Sequence, residues 1–140
     1  MKVAVRYYTR SGNTQKLADA VAQAVSVEAK DVTNPLVEKI DVLFLGCSYY
    51  AFDVDEAVKE FIVQNKENIG KIVCFGTSAM MKSMKKPVSN VASRVGISVA
   101  EEEFHCRGKF GVFHKNRPNE EDLRKVAEFA KTVCGNVCVK

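Results

Sequence analysis

Short apolar runs and stretches with helical periodicity alternate along this chain, and that alternation limits its fold more than any other feature. Val3 to Tyr8 reads as a strand. From Asn13 to Val25 the apolar positions Leu17, Ala18, Val21, Ala22 and Val25 share one helix face. Val27 to Val32 alternates like a short strand and stops at Asn34-Pro35. Asp41 to Cys47 is almost wholly apolar, as in a strand covered on both sides. Asp55 is placed to cap a helix whose inner face is Val58, Phe61 and Ile62. Lys71 to Phe75 is a fourth strand, ended by Gly76-Thr77-Ser78. Met84, Val88, Val91, Ala92 and Val95 form a helical stripe, with Pro87 in its first turn. Ile97 to Phe104 reads as a fifth strand, polar in the middle and so at an edge. Asn119 caps a last helix with Leu123, Val126, Ala127, Ala130 and Val133 inside and Glu120, Glu121 and Asp122 in its first turn. Strand and helix alternating throughout predict an α/β domain: a three-layer sandwich with a parallel five-stranded sheet between helices, one domain over residues 1–140.

Composition suits such a core. Of 140 residues, 46% are apolar and 27% charged, the balance of a globular chain. The longest uncharged apolar run, Val42 to Ala51, falls well short of the roughly 18 residues of a membrane span. The N-terminal residues pass directly into the first strand with no signal-peptide pattern, so no membrane association is expected. Five cysteines without C-x-x-C spacing resemble neither a disulfide framework nor a zinc site, which suits a reducing, cytoplasmic compartment. Cys47 and Cys74 sit in apolar runs and read as small hydrophobes. Adjacent His105 and Cys106 would point to opposite faces of a strand, which argues against a thiol–imidazole pair.

Charge is uneven. Residues 1–70 hold eight Lys and Arg against ten Asp and Glu, a net −2, and residues 71–140 hold thirteen against seven, a net +6. No basic run is interleaved with aromatics, so this is read as a moderately positive surface and not as a nucleic-acid interface.

In open α/β sheets ligands bind beyond the carboxyl ends of the strands. Three segments fall there: Tyr8 to Thr14, Ser48 to Asp55, and Gly76 to Met81. In the first, Thr9, Ser11 and Thr14 bring three hydroxyls together, Gly12 permits a tight turn, and a helix begins at once. Backbone N–H groups and the helix dipole then favour an anion. The segment lacks the Gly-Lys-Ser/Thr of a P-loop and the three spaced glycines of a dinucleotide site, which suits a terminal phosphomonoester, with Arg10 as an optional cation.

Thr9-Arg10-Ser11-Gly12-Asn13-Thr14, following a first strand, resembles the phosphate loop of flavodoxins, Thr/Ser-x-Thr-Gly-x-Thr, with Ser11 keeping the hydroxyl of the usual threonine. Gly46-Cys47-Ser48-Tyr49-Tyr50 is similar to the family's second flavin loop, with Ser48 where proline is common. Gly76-Thr77-Ser78-Ala79-Met80 matches the third loop by position. The likeness runs from Met1 to about Val133, in the short form without an insertion in strand five. It implies strand order 2-1-3-4-5 and a bound FMN. The phosphate would lie among Thr9, Arg10, Ser11, Gly12, Asn13 and Thr14, and the isoalloxazine ring between Ser48, Tyr49, Tyr50, Ala51 and Phe52 on one side and Thr77, Ser78 and Ala79 on the other. Two adjacent tyrosines followed by Asp53 and Asp55 do not look like core, and at least one is expected to stack on the ring. A receiver domain shares this topology but needs acidic residues where this chain has Arg6-Tyr7-Tyr8 and Gly46-Cys47.

Three functions follow from the resemblance. The favoured one is a monomeric electron carrier between redox partner proteins, a reductase and an acceptor, with acidic partners suited to the basic second half. The alternative is a small FMN-dependent NAD(P)H:quinone or flavin reductase, for which the chain has little extra length to build a second substrate pocket. A module that has lost its flavin is disfavoured by the intact hydroxyls of the first loop.

Overall fold

Burial on both sides explains why the apolar runs become strands. A computed structural model describes residues 2–9, 12–48, 55–77, 85–106 and 119–138. In chain order the elements are β1 (Val3–Tyr7), α1 (Asn13–Ala24), β2 (Ala29–Asp31), β3 (Ile40–Ser48), α2 (Glu56–Gln64), a 3₁₀ turn (Lys66–Asn68), β4 (Ile69–Thr77), α3 (Lys85–Arg94), β5 (Ser98–Cys106) and α4 (Glu120–Cys138). Every strand pairing is parallel, and the order across the sheet is β2-β1-β3-β4-β5, the order the resemblance implies.

Two cores flank the sheet. Leu43, Leu45, Cys47, Ile72 and Cys74 cluster with Val58, Phe61 and Ile62 of α2 and Val88 and Ala92 of α3. Val5, Val42, Phe44, Val73 and Phe75 cluster with Leu17 and Val21 of α1 and Val126 and Ala130 of α4. Successive β3 residues thus enter opposite cores, which is why that run has no regular polar position. The expected caps form. Asp55 accepts from the Ala57 N–H at 3.0 Å. Asn119 and Asp122 cap each other reciprocally, each side chain accepting the other's backbone N–H at 2.9 Å.

Between β2 and β3, where the sequence shows no helical period after Asn34-Pro35, residues 32–39 contain no helix. Geometry supplies the reason. Asp31 is level with Tyr7 and Val42 with Val3, so Ile40 at the start of β3 lies six residues of strand below Asp31. That is about 20 Å at strand rise, which eight residues cover when extended but not as a helix at about 1.5 Å each. Buried Arg6 stands beneath this crossover. Its Nε donates to the Asn34 carbonyl at 2.9 Å, Nη2 to the Pro35 carbonyl at 3.4 Å, and Nη1 to the Val5 carbonyl at 3.0 Å. Asn65 and Asn68 hold the next residue, accepting from the Leu36 N–H at 2.9 Å and donating to its carbonyl at 3.2 Å.

Strand limits differ from expectation. β2 is only Ala29–Asp31, the stretch that pairs with Val5 to Tyr7. β4 extends to Thr77, opposite Ser48, so Gly76 and Thr77 belong to the sheet and not to the following loop. β5 lies at the edge, as its polar residues suggest. Its register with β4 jumps from Ile72–Val99 to Cys74–Glu103, a bulge with Glu101 and Glu102 exposed.

Candidate functional site

β1, β3 and β4 are consecutive neighbours that end at one rim of the sheet. The chain leaves β1 towards β2 on one side and resumes at β3 on the other. The gap above β1 and β3 is therefore the point where strand order reverses, the place ligands take in open parallel sheets.

The first rim segment is built around Gly46. The Tyr8 N–H donates to the Gly46 carbonyl at 3.0 Å, holding the chain to β3 as it leaves β1. The Gly12 N–H donates to Thr9 Oγ1 at 2.9 Å. A hydroxyl oxygen that accepts in this way keeps its own O–H as a donor. Gly12 has a φ of 87°, the left-handed region, with none of the described residues within 4 Å of where a β-carbon would stand. Helix α1 starts at the next residue and buries Thr14 completely. No side chain caps this helix at Gly12 and no acid lies in its first turn, whereas α2 starts with a capping Asp55 and Glu56, and α4 with three acids. Among the described residues, no carboxylate stands at the start of α1 as it does at α2 and α4. A helix start of that kind is suited to a phosphate.

The structure brings together part of the expected site. Thr9, Gly12 and Thr14 surround the end of β1, with the backbone of Asn13 between them. Ser48 and Thr77 are register partners at the ends of β3 and β4, the starting points of the second and third loops. Arg10, Ser11, Tyr49, Tyr50, Ala51, Phe52, Ser78 and Ala79 lie outside the described residues.

Three residues shape the rim in ways that the sequence does not show. Arg6 holds the β2–β3 crossover, whose Val32 N–H donates to the Tyr7 carbonyl at 2.9 Å. Its signal was a lone charge inside the first apolar run. Gly46 and Phe75 are register partners, and a glycine inside a strand often marks close approach of another group. The buried thiols, by contrast, behave as expected. Burial first, then Cys74 and Glu103, pushes the Cys47 thiol well above its ordinary range, so it is an inert packing group. Among the described residues no group of three His, Cys, Asp or Glu could hold a metal. No helix among them is long and apolar enough to cross a membrane.

Comparison with known proteins agrees with this geometry. Residues 4–113 match the model of the flavodoxin domain. A protein from Methanocaldococcus jannaschii described as uncharacterized is 27% identical over 138 residues, covering 89% of this chain and 91% of that one. A flavodoxin from the domain Archaea superposes with a TM-score of 0.75 at 14% identity, covering 98% of this chain and 99% of the other. A flavoprotein from Lactobacillus acidophilus, solved in complex with FMN, superposes with a TM-score of 0.63 at 17% identity over 74% of this chain and 91% of its own. The 2-1-3-4-5 sheet, the hydroxyl-bearing turn into α1 and the match over residues 4–113 converge: the chain belongs to the flavodoxin domain family.

Proposed function

We propose that this chain binds FMN at the rim above β1, β3 and β4 and carries electrons between redox partner proteins, a reductase and an acceptor. The observation that carries this reading is the start of α1, where a left-handed Gly12, its N–H held by Thr9 Oγ1, leads into a helix with no acid in its first turn. Thr9, Arg10, Ser11, Gly12, Asn13 and Thr14 would hold the phosphate. Ser48 to Phe52 and Thr77 to Ala79 would receive the ring. When bound, FMN supplies the electron-transfer chemistry, and the protein supplies orientation and local charge. The FMN held by the Lactobacillus acidophilus relative supports the choice of cofactor.

The test is the visible absorbance of the purified chain, before and after adding FMN. Saturable flavin binding, tighter for FMN than for riboflavin, is the expected result, and no change in the spectrum on addition removes the proposal. NAD(P)H oxidation by the flavin-loaded chain without an added reductase would reassign it as an FMN-dependent reductase. Tyr49 or Tyr50 is expected to stack on the ring, a contact contributing about 1 kcal/mol. Stacking should quench flavin fluorescence, and a bright bound flavin unaltered by either Tyr49→Ala or Tyr50→Ala excludes that role.

A further inference from the structure

We infer that Gly46 and Phe75 act as a pair that seats the Tyr8–Thr14 loop, and that Phe75 is thereby a positioning residue for the discrimination of FMN from riboflavin. The second half of this statement rests on the function proposed above.

Both ends of the loop lie against the same residue of the neighbouring strand. At its start, the Tyr8 N–H donates to the Gly46 carbonyl at 3.0 Å. At its end, Thr14 Cγ2 lies 3.1 Å from the point that a β-carbon on Gly46 would occupy. Cε2 and Cζ of the Phe75 ring lie 2.5 Å from that same point. Gly46 and Phe75 are register partners on β3 and β4, and Phe75 and Thr14 are both fully buried. The ring therefore fills the volume that any side chain at position 46 would need, and Thr14 stands on the platform that ring and glycine make together.

A close-packed interior has no slack to absorb a methyl group there. With alanine at 46, either the ring or Thr14 must move, and Thr14 lies in the first turn of α1. Movement at Thr14 changes the aim of the N–H groups of that turn, while the Thr9–Gly12 hydrogen bond links the same shift to the rest of the loop. Hydrogen bonds to a phosphate weaken steeply with misalignment. Ring contacts would come from the loops after β3 and β4, so a misplaced first loop should penalise FMN and spare riboflavin.

The experiment is a substitution cycle with both flavins as probes. Gly46→Ala should weaken FMN about tenfold, the equivalent of one charge-assisted hydrogen bond, while riboflavin changes by no more than about twofold. Leucine lacks the Cε2 and Cζ atoms that collide with the new methyl. The double variant Gly46→Ala/Phe75→Leu should therefore bring the FMN-to-riboflavin preference back to within about threefold of the unmodified chain, a coupling that independent destabilisation does not produce. Equal weakening of both flavins, no weakening, or no recovery in the double variant overturns the inference.

A readout that needs no flavin accompanies it. Phe75→Leu alone should speed amide hydrogen exchange at Tyr8 and Gly12 while leaving Val91 and Val99 unchanged. Uniform acceleration, or none at Tyr8 and Gly12, again overturns it. If the unmodified chain binds neither flavin, the proposed function has failed and the exchange pattern alone decides whether the pair seats the loop. If Gly46→Ala does not fold, Phe75→Leu carries the exchange test.

Discussion

Arg6 shows how one buried residue can hold a crossover. Burial lowers the pKa of its guanidinium, partly countered by Glu28, and its N–H groups are spent on carbonyls of the crossover and of β1. Arg6→Leu would remove those donors from buried or half-buried carbonyls, and a loss of about 2–4 kcal/mol is expected in denaturant unfolding. Arg6→Lys should recover only part of it, because a single ammonium cannot reproduce the planar fork. Equal stability of the leucine variant and the unmodified chain would show that the crossover holds itself. At the rim, changing Thr9, Ser11 and Thr14 together to alanine should weaken FMN far more than riboflavin, each charge-assisted hydrogen bond contributing roughly 1.5–3 kcal/mol. Parallel losses for the two ligands in a titration would move the phosphate elsewhere. The hydroxyls could be read from sequence because a turn into a helix is local chemistry. Arg6 and Phe75 could not, because their partners are separated from them in the chain and reached only through the sheet.

Among the elements, the crossover from β2 to β3 is held by side chains and not by a helix. It begins with a hydrogen-bonded turn in which Asp31 Oδ1 accepts from the Thr33 N–H at 2.8 Å, from the Thr33 hydroxyl, and from Asn34 Nδ2 at 3.3 Å. These bonds, those from Thr33 foremost, hold the Asp31 carboxyl below its ordinary range despite an opposing contribution from burial. A pKa lower in the folded than in the unfolded state means that the stabilisation is complete above the usual aspartate value and fades as pH falls through the folded one. Thermal stability of the unmodified chain should exceed that of Asp31→Asn at neutral pH, and the two should converge in acid. A gap independent of pH would show that the turn does not depend on the carboxylate charge. The sheet edges have their own devices. β2 is three residues long, and β5 carries a bulge with exposed Glu101 and Glu102, features that discourage strand-to-strand association.

At the scale of the whole molecule the relevant quantity is charge. The chain carries a net +4, and Lys82, Lys85 and Lys86 follow β4, whose end lies at the rim beside β3. Lys86 is exposed on the first turn of α3. Positive charge near a bound flavin favours its reduced, more anionic form. Replacing the three lysines with glutamine should lower the FMN midpoint potential by something on the order of tens of millivolts at low salt. Screening should shrink that shift at high salt. A potential that does not respond at low salt would leave these lysines as solvated surface, and would remove one reason to expect acidic partners. By itself the sequence determined the fold class, the strand order through its resemblance, the capped starts of α2 and α4, and the loop that enters α1. Those features depend on periodicity and on neighbours a few residues apart. Only the tertiary structure decided that the β2–β3 join runs back along β1, that Arg6 supports that join, and that Phe75 occupies the side-chain space of Gly46 beneath Thr14. Each of these depends on which strands lie side by side and at what level, a relation among distant segments that no local pattern encodes.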